Sequence, residues 1–192
     1  MDASQIFHGF VLTGGLSTVI DVPGSTATFA DGINNHGDVA GAYVDILGVE
    51  RSFTWNNGHF NYISPSFAVN SEFHAINDHG DLVGVYNGNG SSVFRGFLGT
   101  AGSFATYNFP NQSVSFPWSI TNHDVIAGVF RDDMTSHAFV NGGSNFGRID
   151  VPGAAITVGF DIDDDQGRIV GYFGRGGIHG FLATPNSSNF KK

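Results

Sequence analysis

Short runs of apolar residues, broken by turn-forming residues, follow one another along the whole chain. Val, Ile and Phe dominate within the runs, and Gly, Asn and Asp separate them every few residues. Because β-branched and aromatic residues between turn residues are typical of strands, this pattern predicts an all-β protein. Residues that favour helices are scarce, with six Leu and two Glu among 192 residues, so the composition argues against helices as well.

A motif that reads Ile-Asn-x-x-Gly-Asp-Val-x-Gly in its clearest form occurs four times. Its copies occupy 32 to 41, 75 to 84, 119 to 128 and 161 to 171. The last Gly residues of these copies are 43, 44 and 43 positions apart. A His/Arg-x-Phe triplet and a Pro recur in the same phase, the triplet five times and the Pro four times. Three markers in phase establish an internal repeat, and a period of roughly 20 to 50 residues is typical of solenoids and propellers.

Each repeat predicts four short strands, which we call a, b, c and d. In the first full repeat they cover about 28 to 34, 38 to 45, 51 to 55 and 60 to 64. Three tight turns connect them, and a longer polar segment leads to the next strand a. Three hairpin turns followed by one longer crossover is the pattern of a β-propeller blade, so the repeat predicts a propeller.

Counting the strands predicts how the ring closes. We expect one domain over 1 to 192 with blades at 28 to 65, 71 to 109 and 114 to 151, and a fourth at 155 to 183 completed by 8 to 22. The N-terminal d strand would then pair with the three C-terminal strands and leave a closed ring of four blades. One c strand, either 8 to 12 or 179 to 183, is surplus. It would extend a blade, fray, or pair with another molecule.

The charge of the chain limits its partners. The net charge is −9 and the few Arg residues are scattered, so a nucleic-acid partner is not expected. No run of 18 apolar residues is present, so no membrane-spanning helix is expected. The first residues show no signal-peptide pattern, and the absence of Cys excludes thiol catalysis and disulfides.

The recurring His-Gly/Ala-Phe triplet, the Ile-Asp-Val-Pro-Gly string and the Ile-Asn-x-x-Gly-x-Val-x-Gly turn resemble the HAF-type extracellular repeat family of bacteria. The resemblance covers roughly residues 6 to 185. Arg replaces the leading His at positions 51 and 95, and the third turn lacks its Gly. The resemblance implies an exported or cell-surface repeat protein, and it supplies no catalytic residues.

An acidic stretch in the fourth repeat suggests a cation. Asp161, Asp163 and Asp165 alternate ahead of Gly167 and resemble the start of a calcium loop, in which carboxylate oxygens converge on one hard cation. Gly167 stands one residue late and the position of the closing Glu is Tyr172. The alternatives are therefore a Ca²⁺ site formed by the three Asp residues and an acidic turn without a metal.

The positions where the copies disagree are the better guide to function, because the shared fold does not dictate them. Two residues before each turn Ile stand Asp31, His74, Trp118 and Phe160, on the strand expected to line the central channel. Asp31 and His74 could form a catalytic acid and base pair, and Trp118 could stack on a ring-shaped ligand. The alternative is variation in how the channel is packed.

Two functions follow from these observations. The first is a secreted, non-catalytic binding or structural propeller for a small molecule or glycan. The second is a calcium-dependent hydrolase, such as a lactonase, with its site at the channel mouth. The sequence contains no Gly-x-Ser-x-Gly, His-Glu-x-x-His, P-loop or Rossmann motif, so serine-hydrolase, zincin and nucleotide-binding functions lose most of their support.

Overall fold

The computed structural model describes residues 6–112, 114–132, 135–143 and 145–184. In these ranges the chain forms seventeen strands and no helix, so the all-β prediction is confirmed. Accordingly, no helix in the described ranges is long and apolar enough to cross a membrane.

Twelve of the strands form three four-stranded sheets, which we call blades one, two and three. Blade one contains β3 (Ala27–Ile33), β4 (Val39–Val44), β5 (Glu50–Asn56) and β6 (His59–Tyr62). Blade two contains β7 (Asn70–Ile76), β8 (Leu82–Asn87), β9 (Arg95–Thr100) and β10 (Ser103–Tyr107). Blade three contains β11 (Val114–Ile120), β12 (Val125–Asp132), β13 (Thr135–Gly142) and β14 (Asn145–Ile149).

The remaining five strands lie at the two ends of the array. The N-terminal hairpin contains β1 (Gly9–Thr13) and β2 (Leu16–Ile20), and the terminal sheet contains β15 (Ile156–Ile162), β16 (Ile169–Gly174) and β17 (Ile178–Ala183). Neighbouring strands within every blade run antiparallel in chain order. A single parallel contact between Ser136 and Ile156 joins blade three to the terminal sheet.

The closure predicted from the strand count is not present in the described part of the chain. The hairpin forms a separate two-stranded sheet and is not hydrogen-bonded to β15–β17. It packs on blade one instead, where Thr28 donates a backbone hydrogen bond to the Phe7 carbonyl. Ile20 and Val22 are buried there in one core cluster with Val39. Ile20 at the end of β2 and Val22 just after it therefore hold the hairpin on blade one, and the array stays open between its two ends.

The hydrophobic core lies mainly between consecutive blades. Ala40 of blade one packs in one cluster with Phe73 and Phe97 of blade two. Val83 of blade two packs with Phe139 of blade three in the next cluster. Since each blade buries its apolar face against the following one, stability depends on having neighbours on both sides.

The last Gly of each repeat motif marks a close approach of two strands. A Cβ atom on Gly84 would lie 2.0 Å from the carbonyl oxygen of Glu72 on β7, and one on Gly171 would lie 1.9 Å from that of Val158 on β15. No side chain fits in this space, because strands a and b come unusually close where the register of their antiparallel pairing shifts. The recurrence of Gly every 43 or 44 residues therefore has a steric cause.

A row of hydrogen bonds, which we call the turn clasp, joins the a–b turns of successive blades. It contains Asn35, Asp78, Asn122 and Asp164, which occupy the same repeat position. The backbone N–H of Asn35 donates to Asp78 Oδ1 and its Nδ2 donates to Asp78 Oδ2, both at 2.8 Å. Asn122 makes the same two bonds to Asp164, at 2.7 and 2.8 Å. Amide and carboxylate thus alternate along the clasp, and each amide meets an acceptor.

Candidate functional site

Every strand a carries one β-bulge at the same repeat position. The register shifts between Ala30 and Gly32, between Phe73 and Ala75, between Pro117 and Ser119, and between Gly159 and Asp161. The extra residues at these shifts are Asp31, His74, Trp118 and Phe160. A bulge leaves one residue outside the ladder and redirects its side chain, a device that is common beside functional sites. The four divergent residues found in the sequence are therefore the four bulge residues.

The bulge residues line one cavity. Its volume is about 540 Å³, and its walls come from β3, β7, β11 and β15, the strands a of the three blades and of the terminal sheet. All four bulge residues line it, together with the carboxylates Glu72 and Asp161. The structure thus brings the predicted ligand-binding residues together.

His74 is the most constrained group in the cavity. Its side chain is 3% exposed, and its ring stacks on Trp118 with centroids 4.0 Å apart and an interplanar angle of 11°. The Nδ1 atom lies 2.8 Å from the Pro117 carbonyl oxygen, which can only accept, so the proton of the neutral ring belongs on Nδ1. The Nε2 atom has no hydrogen-bond partner and lies 3.6 Å from Glu72 Oε2.

The sequence predicted that Asp31 is the acidic partner of His74, but a different carboxylate lies beside the imidazole. The carboxylate at ion-pair distance from His74 is that of Glu72, whereas Asp31 interacts with the imidazole only through longer-range electrostatics. Desolvation by the cavity walls raises the pKa of Asp31 to about 7, and the negative charge of Glu72 adds to this rise while His74 opposes it. Asp31 still keeps contact with water inside the cavity. Near neutral pH the cavity therefore holds a carboxyl group that changes charge.

Trp118 offers less free surface than the sequence suggested. One face of its ring is covered by His74, and Phe160 meets the ring edge to face with centroids 5.7 Å apart. The Trp118 Nε1 atom is buried and has no hydrogen-bond partner in the described part of the chain. Phe160 is 43% exposed, so it is the aromatic ring most available to a ligand in the cavity.

The three predicted calcium ligands are separated. Asp161 lines the cavity and accepts a hydrogen bond of 2.5 Å from Ser119 Oγ. Asp163 accepts one of 2.5 Å from Arg168 Nε, and this bond lowers the pKa of Asp163. Asp165 lies exposed in the turn. The acidic stretch therefore divides between the cavity, an ion pair and solvent.

A different group brings three potential metal ligands together. Among the described residues, His79, Asp81 and Asp124 place their donor atoms within 4.8 Å of one another. They lie on the a–b turns of blades two and three, outside the cavity lining. Asn77 Nδ2 already donates to Asp81 Oδ2 at 3.1 Å, so these carboxylates also serve the turn.

Glu72 is a cavity residue near His74 that the sequence patterns did not single out. The chain has only two Glu residues, and the same repeat position holds Phe29, Phe116 and Val158 in the other copies. The criterion that selected the bulge residues, divergence between copies, also applies two residues earlier. Extending it to that position would have found Glu72.

A scan against protein-family models found no match, and no curated protein matches the chain. Eleven solved chains match by structure. One is the β-propeller domain of the Trilobed protease from Pyrococcus furiosus, which has an open velcro topology; its sequence identity is 10% and the TM-score is 0.53. That alignment covers 77% of this chain and 49% of the other.

Two further matches have lower TM-scores. A mutant of Aleuria aurantia lectin in complex with alpha-methyl-L-fucoside has 12% identity and a TM-score of 0.45, covering 99% of this chain and 73% of the lectin. A mutant of AofleA from Arthrobotrys oligospora has 13% identity and a TM-score of 0.41, covering 88% and 61%. The chain spans about half the length of the protease domain, and the likeness to that domain concerns the fold alone. The likeness to the protease domain and the strand order together identify a β-propeller fold.

Proposed function

We propose that this protein is a non-catalytic binding module that holds a small polar ring, such as one sugar unit, in the cavity between its inner strands. The observation that carries the proposal is the convergence of the bulge residues. Four repeats share one backbone, yet each contributes a different side chain to the same cavity of about 540 Å³. Packing alone does not call for Glu72 and Asp161, because the other copies carry apolar or small residues at these two positions. It does not call for Asp31 either, since two other copies carry Trp118 and Phe160 there.

The chemistry of the cavity suits a sugar. Carboxylates accept hydrogen bonds from hydroxyl groups, and four of them, Asp31, Glu72, Asp161 and Asp164, line the walls. Phe160 presents an aromatic face that packs against the apolar side of a pyranose ring. The wall combines these polar groups with apolar residues such as Ile76 and Ile120, and a site for a polar ring needs both kinds of contact.

The arrangement of His74 favours binding over catalysis. A general base must reach the proton that it removes, but the His74 side chain is only 3% exposed and is clamped between Trp118 and the Pro117 carbonyl. The separation of Asp161, Asp163 and Asp165 likewise gives no reason to prefer the calcium-dependent hydrolase. An exported or cell-surface location, and membership of the HAF-type family, remain part of this proposal on the strength of the repeat motifs.

An array of immobilised glycans followed by titration calorimetry tests the proposal. We expect at least one saccharide class to bind, and Phe160→Ala or Glu72→Gln to weaken that binding by about tenfold or more while the melting temperature stays nearly unchanged.

The matched control is Phe146→Ala. Phe146 on β14 is 36% exposed and contacts one ring, Phe109, but it does not line the cavity. Its replacement should leave binding intact. Silence across the array, or equal losses for the Phe160 and Phe146 variants, would overturn the proposal.

A further inference from the structure

The two ends of the array each expose apolar residues. In the N-terminal hairpin these residues are Phe10, Leu12, Leu16 and Val19, each more than 60% exposed. In the terminal sheet they are Val170, Ile178 and Leu182. Among the interior strands c, Phe53, Phe97 and Phe139 are fully buried at the position of Phe10. Both ends therefore lack a neighbour that the repeat is built to have.

The hairpin is the outer half of an incomplete blade. Gly9 of β1 lies against Ala30 of β3, as its counterpart Gly96 lies against Pro117 of β11. Strand β1 thus occupies the place of a strand c beside blade one, and β2 that of a strand d. The missing strands are a and b. Within residues 6 to 184, the terminal sheet contains strands a, b and c without a d.

Strands β1 and β17 have nearly the same sequence. Residues 8 to 13 read His-Gly-Phe-Val-Leu-Thr, and residues 179 to 184 read His-Gly-Phe-Leu-Ala-Thr. In β17 the Phe181 residue pairs with Gly171 of β16, and its ring lies over the space left by that Gly. Strand β1 could pair with β16 in the same register, with Phe10 in the place of Phe181.

The turn clasp is complementary across the same gap. At the junction of blades two and three, the Asp78 N–H donates to Asn122 Oδ1 at 2.7 Å and Asn122 Nδ2 donates to Asp78 Oδ2 at 2.9 Å. Within the described residues, Asn35 Oδ1 and the Asp164 N–H take no part in a hydrogen bond. Asp164 followed by Asn35 would repeat the Asp78–Asn122 pair atom for atom.

We propose that copies of this chain associate head to tail by strand exchange. The hairpin of one copy completes the terminal sheet of the next, with β1 replacing β17 beside β16 and β2 supplying the missing strand d. Because β1 already packs as a strand c on blade one, this exchange brings Asp164 of one copy next to Asn35 of the other. If the hairpin were added to the outer edge of β17 without replacing it, blade one of the incoming copy would be displaced outward by the width of one strand. Asn35 would then not reach Asp164, and the clasp could not continue.

The energetic balance favours exchange. The bonds between β16 and β17 are replaced by equivalent bonds between β16 and β1, because the two strands share their sequence. The burial of Phe10 replaces that of Phe181, which packs on the core while β17 is in place. The net gains are therefore the added strand d and one more clasp junction. Such a contact joins the hairpin of one copy to the terminal sheet of another, so each copy in a pair keeps one surface free for a further copy. Repeated association therefore builds a closed ring or an open filament.

Sedimentation equilibrium over a wide range of concentration tests the association. We expect the mean mass to rise with concentration, and Phe10→Asp to weaken association by about tenfold or more without a change in monomer stability. The control Leu47→Asp alters a residue that is 81% exposed on the β4–β5 turn of blade one, and it should have no effect. A protein that stays monomeric at every concentration overturns the proposal.

A disulfide test reads the register directly. Val170 pairs with Leu182 in β17, so exchange would place it opposite Val11 of another copy. The chain has no Cys, so a variant with Val11→Cys and Val170→Cys carries only these two thiols. Disulfide-linked multimers on a non-reducing gel support the proposal. A disulfide within the monomer would show closure of one chain on itself and would overturn it, as would free thiols after oxidation.

Discussion

The Phe of the His/Arg-x-Phe triplet has opposite surroundings in the interior of the array and at its N-terminal end. Phe97 of blade two is 0% exposed, whereas Phe10 of the hairpin is 63% exposed, although both stand at the same position of a strand c. The difference comes from the neighbouring strands, since Phe97 is covered by Phe73 and Phe104 and the hairpin has no strands a and b. In a repeat protein, burial is therefore a property of the junction between units.

The same contrast appears in the cavity and in the clasp. The bulge residue His74 of an interior blade is buried, but Asp31 of blade one and Phe160 of the terminal sheet are exposed. Asp78 accepts from an Asn on each side, and Asp164 from one side. In both the cavity and the clasp, a repeat at the end of the array thus lacks one of the two neighbours that an interior repeat has.

The largest expected effect separates the two Phe residues. Phe97→Ala should destabilise the protein by about 3 to 5 kcal/mol, because it leaves a cavity in a fully buried cluster. Phe10→Ala should change the free energy of unfolding by less than about 0.5 kcal/mol at low protein concentration. Urea unfolding followed by tryptophan fluorescence measures both, and equal losses would mean that the hairpin already has a covering partner.

The clasp predicts a smaller difference. Asp78→Asn places an amide opposite the amides of Asn35 and Asn122, so it should lower the melting temperature about twice as much as Asp164→Asn, which faces only Asn122.

Donation from Asn35 lowers the pKa of Asp78. The advantage of the native protein over the Asp78→Asn variant is therefore present above about pH 4 and lost as the pH falls through the lowered pKa. Thermal unfolding at neutral and acidic pH checks both points.

The smallest effect concerns Asp31 at the open side of the cavity. Its pKa in the folded protein is about 7, whereas an unfolded Asp releases its proton near pH 4, so ionisation of Asp31 reduces stability as the pH rises from about 4 to 7. Asp31→Asn should therefore stabilise the protein by about 1 kcal/mol at pH 8, a value reduced by water in the cavity, and by nothing below about pH 4. Parallel stability profiles of the two proteins against pH would contradict this.

Local features of the fold could be predicted from the sequence. The a–b turns follow from Asn34, whose Oδ1 accepts from the N–H groups of His36 and Asp38, and such turns depend only on nearby residues. The divergent positions also led to the four bulge residues. The role of Asp163 could not be predicted in this way, because a run of carboxylates looks the same whether it binds a cation or, as here, pairs with Arg168.

By itself the sequence determined that the chain forms antiparallel strands in repeats of 43 or 44 residues, with Gly where strands a and b approach each other. Strand propensity and turn chemistry act over a few residues, so they can be read without knowledge of the fold. Only the tertiary structure decided which bulge residues meet and that the hairpin stays on blade one. Both outcomes depend on the orientation of each blade relative to the next. Packing between residues that are distant in the sequence sets that orientation, so local patterns do not reveal it.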